Sequence, residues 1–404
     1  PYLRELGVTV LYLNPVCRAR TNHRYDTGDY GQIDPYLGTN ADFTALCEAA
    51  RAAGIHVLLD GVFSHTGADS RYFNRYGRYD SLGAYQSPQS PYASWYRFTR
   101  FPDAYDSWWG FYTLPAVNKN DPGYRRFLLD ERDGVLPDWV RRGACGWRLD
   151  VADELPVDLL QGMRRAVKNA DPDATLLGEV WEDASNKVAY GEPRSYCLGD
   201  TLDSVMNYPL RRAVIDFFTG VCDAGALCRL IDHQREVYPP PFRYSLMNLL
   251  GSHDRLRALN AMAGYDRPDG VYPNRMQDAR VRLTDAQIDL AKRRYLAALR
   301  LLCALPGAPT VYYGDERGMQ GMADPFCRAP MRWRGGDEAL TASVAALLCE
   351  RRDTPLLQTG HCDVRALDAN TLEILRYLVD GRDALGEVLP GGGEPMRVVV
   401  SRNV

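Results

Sequence analysis

The chain has 404 residues, 46% hydrophobic and 25% charged, the balance of a soluble globular protein of two or three domains. A net charge of −4 offers no general attraction for nucleic acid or for the phosphates of a membrane surface, and no apolar run is long enough to span a bilayer. Ten cysteines are scattered singly, without a CxxC pair or a metal-ligand spacing. Cys47, Cys145 and Cys303 lie in apolar segments and read as small core residues, so a reducing, cytoplasmic compartment is expected.

The chain opens at Pro1 inside what reads as a helix, Tyr2–Gly7, so the start of the natural protein is expected to be missing. Val8–Leu13 is rich in β-formers and stops before Asn14-Pro15, as a strand does. Residues 22–30 read as irregular. Thr39 then caps a helix with Asp42 at the third position, and the helix stops at Gly54. His56–Asp60 is the next strand, which makes a strand-helix-strand unit and predicts a parallel sheet.

Residues 67–118 break the rhythm. They are rich in Tyr, Trp, Ser and Pro, and a structureless loop of that length is improbable, so they read as a small inserted domain. Tyr92, Trp95, Tyr96, Tyr105, Trp108 and Trp109 read chiefly as its core, with Trp108 or Trp109 the better candidates for a ligand cleft. Asp121-Pro122 restarts a helix expected to run toward Arg142.

Alternation then resumes. Strands are predicted at Gly146–Asp150, Thr175–Glu179, Asp203–Met206, Leu246–Leu250 and Thr310–Tyr313. Helices are predicted at Pro156–Ala170, Arg211–Gly220, Asp285–Leu305 and Leu340–Arg351. Seven strands in this succession read as a (β/α)8 TIM barrel whose first strand is lost with the missing start. Beyond Gly360, Leu372–Val379 and Arg397–Ser401 read as strands around a turn at Gly391–Gly393, a partial C-terminal β domain. The expected division is 1–66 and 119–355 for the barrel, 67–118 for the insert and 356–404 for the β domain.

Chemistry in such barrels sits where strands end. Those ends carry Asp60 with His65, Arg148 with Asp150, Glu179 followed by Trp181, and His253 with Asp254. Arg148 and Asp150 are two apart on a strand and share a face. An opposite charge lowers a carboxyl pKa, so Asp150 is expected to be ionised. Taken alone, the pair reads equally as a structural ion pair. Two carboxylates flanking a glycosidic bond are the minimum for its hydrolysis. On that reading Asp150 attacks the anomeric carbon. Glu179, in a more apolar setting, has a raised pKa and protonates the leaving oxygen. Asp254 holds the developing positive charge, and the histidines bond ring hydroxyls.

The four segments together resemble the α-amylase family of glycoside hydrolases. Asp60–His65 resembles the first family motif, Gly146–Asp150 the second, Gly178–Trp181 the third and Gly251–Asp254 the fourth. The resemblance implies Asp150 as nucleophile, Glu179 as general acid/base and Asp254 as transition-state stabiliser. It implies sugar contacts from Tyr25, His65, Arg148 and His253, with Asp60 and Trp181 in the same motifs. Ala323–Arg328 resembles a further stretch whose Asp324 and Arg328 touch the neighbouring sugar. Within the family, Tyr105–Trp109, Leu114–Asn118 and Asp150–Glu154 are similar to the neopullulanase, cyclomaltodextrinase and maltogenic amylase group. That group carries an added N-terminal domain that helps form a homodimer, and the chain is expected to lack it.

The resemblance implies a retaining enzyme on α-1,4-glucans, namely malto-oligosaccharides, cyclodextrins or pullulan, with some transfer to sugar acceptors. An exo-acting α-glucosidase or oligo-1,6-glucosidase of the same family, and a non-catalytic glucan-binding protein, are the alternatives. No organic cofactor is expected. Ser64 replaces the Asn usual in the first motif, and Asp153-Glu154 replace the Lys-His of calcium-dependent amylases, so the inserted domain's usual calcium site is expected to be degraded. Arg255 follows His253-Asp254 where a small polar residue is more common, and is expected to narrow the acceptor side of the cleft.

Overall fold

The structure is a computed structural model that describes residues 1–266, 278–389 and 393–404. The chain forms two compact units. One comprises Thr9–Val180 and Ala184–Val205, here the barrel-start unit. The other comprises Pro1–Val8, Trp181–Asp183 and Met206–Val404, here the C-terminal unit.

The barrel-start unit is built on five parallel strands. In chain order its strands are β1 (Val10–Tyr12), β2 (Cys17–Ala19), β3 (Thr27–Ile33), β4 (His56–Gly61), β5 (Phe98–Arg100), β6 (Ala104–Tyr105), β7 (Gly146–Leu149), β8 (Thr175–Gly178), β9 (Val188–Ala189), β10 (Glu192–Pro193) and β11 (Ser204–Val205). The parallel sheet runs β1-β4-β7-β8-β11. Val57, Leu58 and Leu59 are buried in succession rather than alternately, as expected of a parallel strand covered on both faces. Between β1 and β4 lies the Asn40–Ala52 helix, whose start is closed by the predicted reciprocal cap between Thr39 and Asp42.

Register places the site. Asp60 pairs with Arg148, and Leu149 with Gly178, so Asp150 and Glu179 each leave the sheet one residue past adjacent strand ends. Asp150 N donates to Gly61 O at 3.0 Å, and Glu179 N to Leu149 O at 3.0 Å. Gly146 has φ +135°, and a Cβ there would lie 2.0 Å from the carbonyl oxygen of Thr175. Only glycine lets β7 start this close to β8.

Two stretches of this unit differ from the sequence reading. Residues 22–30 are not wholly irregular, because β2 and β3 form an antiparallel hairpin. The predicted helix from Asp121 to Arg142 is two helices, Pro122–Leu129 and Val135–Arg141. The chain doubles back at Gly134, where a Cβ would meet the Asp130 backbone at 2.5 Å. The insert contains the β5–β6 hairpin and two short 3-10 turns. Trp95, Tyr96 and Tyr105 are buried, and Phe73 packs against Tyr85, Tyr96, Phe98 and Tyr105. The core reading of these rings holds, whereas Trp109 is 74% exposed.

The C-terminal unit continues the alternation with β12 (Met247–Leu249) and β13 (Ala308–Thr310), paired in parallel, and Met206 bridges Met247 in the same sense. All seven predicted parallel strands are therefore present, and the alternation is that of the (β/α)8 barrel class. The last strand lies two or three residues earlier than the Tyr312-Tyr313 pair suggested. The Asp285–Ala304 helix carries a Thr284–Gln287 capping box and packs with Glu338–Asp353. A helix at Ala224–Val237, capped by Asp223, has no counterpart in the sequence reading.

The C-terminal sheet has three antiparallel strands, β14 (His361–Asp368), β15 (Thr371–Tyr377) and β16 (Met396–Ser401). The sequence reading lacked β14, half of whose residues are polar and most of which are exposed. Leu372, Ile374 and Val400 share one apolar core with helix residues such as Leu299 and Leu302. Of the predicted Gly391–Gly393 turn, residues 391 and 392 lie outside the described residues.

Candidate active site

The barrel-start unit gathers Asp60, Asp150 and Glu179 around the Arg148 guanidinium, with Tyr25 on Asp60 and His65 on the Tyr25 backbone. Arg148 Nη1 lies 2.8 Å from Asp60 Oδ1 and 2.9 Å from Asp150 Oδ1, and its Nη2 lies 2.9 Å from Glu179 Oε2. One cation thus serves three carboxylates. The side-chain exposure of Arg148 and Asp60 is zero, while Asp150 keeps 10% and Glu179 6%. Asp60 also accepts hydrogen bonds from the hydroxyls of Tyr12, at 2.6 Å, and Tyr25, at 2.8 Å.

The sequence expectation that the Asp150 pKa is lowered is corrected. Burial pushes the carboxyl of Asp150 well above the usual range; Arg148 pulls it down, but Glu179 and Asp60 push it up. Burial is the largest of these influences. Asp150 therefore holds its proton to higher pH than an isolated carboxylate.

The turn after Asp150 is strained. Val151 has φ +40°, a left-handed conformation costly for a β-branched residue, on the order of 1–3 kcal/mol. Its N–H donates to Glu179 Oε2 at 2.8 Å. The same residue that ends the nucleophile strand thereby fixes the second carboxylate.

Asp60, Arg148 and His65 are buried and bonded within the chain. The first two are consumed inside the cluster. His65 is 1% exposed and both its ring nitrogens are engaged, Nδ1 with Ser64 Oγ and Nε2 with the carbonyl of Tyr25, each at 2.9 Å. Burial holds its imidazole down to about 4, so the ring is neutral, donates from Nε2 and accepts at Nδ1. The Tyr25 carbonyl, which can only accept, thus sets the tautomer, Ser64 Oγ–H donates to Nδ1, and His65 supports the Tyr25 backbone. An antiparallel bridge to Ala116, within the Leu114–Asn118 motif, fixes His65 from the other side. Tyr12 was missed from sequence; its signal is its place at the C-terminal end of a parallel strand.

Asp153 and Glu154 are both engaged by donors of the chain. Asp153 accepts from Tyr196 at 2.7 Å and pairs with Lys187 at 3.1 Å. Glu154 Oε1 accepts both indole N–H groups, from Trp108 at 3.0 Å and Trp109 at 2.9 Å. Carboxylates already bonded to an ammonium and two indoles do not offer a cation cradle. Among the described residues no group of three or more His, Cys, Asp or Glu is arranged to hold a metal.

The C-terminal unit gathers the remaining predicted residues. His253 Nε2 lies 3.1 Å from Asp254 Oδ2. Arg328 Nε is 2.7 Å from Asp324 Oδ1 and donates to the carbonyl of His253 at 2.9 Å, and its Nη2 approaches Asp254 Oδ1 at 3.5 Å. Asp254 is thus steadied from two sides and keeps 26% side-chain exposure. Trp181 stacks on Tyr208 with ring centres 3.9 Å apart and planes within 5°, and remains 39% exposed.

Arg255 differs from its expected role. It is 9% exposed, lies 6.0 Å from the Trp181 ring centre and pairs with the buried Asp266 at 3.0 Å, so it braces the unit's interior.

Two carboxylates on adjacent strand ends, held by one buried guanidinium, define the site of a glycosidic-bond enzyme class. Residues 1–347 match the family described as alpha amylase, catalytic domain. The chain is 36% identical over 418 residues to an amylopullulanase of Thermoanaerobacterium saccharolyticum, covering 96% of this chain and 31% of that protein. It is 36% identical over 341 residues to neopullulanase 2 of Thermoactinomyces vulgaris, covering 82% of this chain and 50% of that protein. Among solved structures it is similar to a cyclic alpha-maltosyl-(1→6)-maltose hydrolase from Arthrobacter globiformis, with TM-score 0.80 and 32% identity over 98% of this chain and 79% of that one. The chain spans half or less of the length of these two curated relatives. It belongs to the α-amylase catalytic-domain family.

Proposed function

We propose that the chain is the catalytic part of a retaining α-glycoside hydrolase acting on α-1,4-linked glucans, among them malto-oligosaccharides, cyclodextrins and pullulan. The observation that carries this reading is the bridging of Asp150 and Glu179 by the two terminal nitrogens of Arg148. It suits the short carboxyl separation of retaining enzymes, roughly 5–5.5 Å.

Asp150 attacks the anomeric carbon and forms a glycosyl ester, while Glu179 gives its proton to the leaving oxygen. Glu179 then takes a proton from water, which attacks the same carbon and frees Asp150. A sugar hydroxyl in place of that water gives transfer instead of hydrolysis. Asp254 stabilises the developing positive charge, and Trp181, His253, Asp324 and Arg328 contact the glucan. These steps use the chain's own carboxylates and call on no organic cofactor. The names of relatives, neopullulanase, cyclomaltodextrinase and a hydrolase of a cyclic maltosyl-maltose, support endo action and cyclic substrates.

We place the protein in a reducing compartment. Cys47, Cys145 and Cys303 are free thiols, and one relative is named intracellular maltogenic amylase. No helix among the described residues is long and apolar enough to cross a membrane. Homodimerisation would be a property of the full-length protein.

Product analysis tests the reading. Opening of β-cyclodextrin and release of panose from pullulan, with retained anomeric configuration, is the expected result. Glucose alone from linear chains, with the ring untouched, would favour an exo-acting α-glucosidase. Binding without any turnover would favour a glucan-binding protein.

A further inference from the structure

Asp315 is 1% exposed and has no part in the chemistry set out above. It lies in the turn that follows β13, where Gly314 has φ +85°. Its carboxylate clasps the 251–258 segment at both ends. Oδ2 accepts from the backbone N–H of Ala258 at 3.2 Å, and a Cβ on Gly251 would lie 2.5 Å from the same oxygen. Position 251 therefore has to be bare for the carboxylate to reach across. Oδ1 pairs with Arg257 Nη1 at 3.3 Å. His253 and Asp254 lie between these holds.

The partner cation is as enclosed as the carboxylate. Arg257 is 0% exposed, and its guanidinium lies 4.9 Å from the ring centres of both Tyr312 and Tyr313. Nη1 also donates to the carbonyl of Tyr313 at 2.6 Å, while Nε and Nη2 have no hydrogen-bond acceptor among the described residues. Asp315 is the one carboxylate paired with Arg257 among the described residues. The backbone N–H of Arg257 donates to Gly321 O at 3.0 Å. The carbonyl of His253 accepts from Cys327 Sγ at 3.3 Å and from Arg328 Nε at 2.9 Å. These bonds fix the backbone of the segment and leave the Asp254 side chain 26% exposed.

Burial lifts the carboxyl of Asp315 to about 7, although Arg257 and the Ala258 N–H favour its charged form; Glu316, in the same turn, adds to the rise. Glu316 itself accepts from Tyr2 Oη and from Gly314 N, each at 2.7 Å. Tyr295, on the Asp285–Ala304 helix, faces both carboxyls, and burial keeps its phenol neutral. The charge on Asp315 therefore comes and goes across the neutral range. Once protonated, the carboxyl keeps its place but loses most of its attraction for a guanidinium. We infer that Asp315 is a positioning residue: paired with Arg257, it holds the 251–258 segment so that the Asp254 carboxylate faces the reacting sugar. The inference rests on the role given to Asp254 in the glucan reading above.

Asp315→Asn keeps an oxygen that can accept from Ala258 N but removes the charge, and so imitates the protonated wild type. On maltoheptaose at pH 8 its kcat should fall about tenfold with KM within about twofold, the scale of a misplaced reacting group. The gap should close as pH falls to 5.5, where wild-type Asp315 is itself protonated. A residue that only stabilised the fold would give a constant ratio. A ratio that does not change with pH, or an unchanged kcat at pH 8, would overturn the inference. If this variant does not fold, Arg257→Lys, which keeps the buried positive charge, is judged by the same closing of the gap. Hydrogen exchange gives a readout independent of turnover. At pH 8 the 251–258 amides of the variant should exchange about tenfold faster than in wild type, with the Asp285–Ala304 helix unchanged. If the wild-type chain hydrolyses no glucan, the hydrolase reading fails separately and exchange decides: faster exchange supports the clasp, and equal exchange overturns it.

Discussion

Two buried charge clusters in this chain are inverse in composition. In the barrel-start unit one guanidinium, Arg148, is shared by three carboxylates, Asp60, Asp150 and Glu179. In the C-terminal unit one carboxylate, Asp266, is shared by three guanidinia, Arg211 at 3.0 Å, Arg212 at 3.3 Å and Arg255 at 3.0 Å. Asp266 has 1% side-chain exposure. Both clusters place opposite charges out of water, where a broken set costs more than an intact one contributes. They differ in what the surplus can do. A negative surplus beside partly open carboxyls favours positive charge developing on a sugar carbon. A positive surplus closed around Asp266 ties a helix to the segment after His253-Asp254 and presents no nucleophile.

The largest expected effect breaks the chemistry alone. Asp150→Asn should lower turnover on malto-oligosaccharides by about 10³-fold or more while leaving the fold at least as stable at pH 7. The sign follows from the raised pKa of Asp150. The folded state holds this proton to higher pH than the unfolded chain does. Wild-type stability from this group is therefore present below the unfolded value of about 3.9 and lost as pH rises through the folded one. Urea titrations at pH 4 and 7 check this: the variant's advantage should appear at pH 7 and shrink at pH 4. A variant markedly less stable at pH 7 would contradict the surplus.

Next come the two hubs. Arg148→Met strands three carboxylates and should cost about 3–5 kcal/mol of stability, with activity lost. Asp266→Asn removes the charge that Arg211, Arg212 and Arg255 share, although Arg212 keeps Asp216, and should cost about 3 kcal/mol, with turnover per folded molecule kept within about threefold. Equal losses of turnover per folded molecule would erase the distinction between the clusters.

The smallest effect is on the acid limb. His65 is held neutral at about 4, well below the ordinary 6.5, so its contribution is present above pH 6.5 and lost as pH falls toward 4. His65→Gln should flatten the loss of stability between pH 6.5 and 4 by up to about 3 kcal/mol. An unchanged acid limb would mean that the ring is solvated or charged.

Gly146–Asp150 and Thr175–Glu179 were legible because period, length and a terminal carboxylate agree, and each is within a residue of the observed strand. The Thr39 cap was legible because its bonds are local. What escaped depends on contacts distant in sequence. β14 is half polar and mostly exposed, and it is a strand because β15 pairs with it. The turn at Gly134 depends on a backbone approach that no periodicity encodes. In the site, residue identities were readable but the balance of charge was not. Arg148 beside Asp150 implied a lowered pKa, but burial raises it, helped by Glu179 and by Asp60 from a strand 88 residues earlier. Arg255, read as a cleft residue, is drawn inward by Asp266, which is remote from the motif that suggested it.

The division of labour between Asp150 and Glu179 is tested most directly by trapping. In Glu179→Gln, α-maltosyl fluoride, whose leaving group needs no proton, can load the enzyme while the general base for release is missing. Peptide mapping by mass spectrometry should then find a maltosyl ester on Asp150. A sugar adduct on any other residue, or turnover of the fluoride to product of inverted configuration without an adduct, would contradict the account.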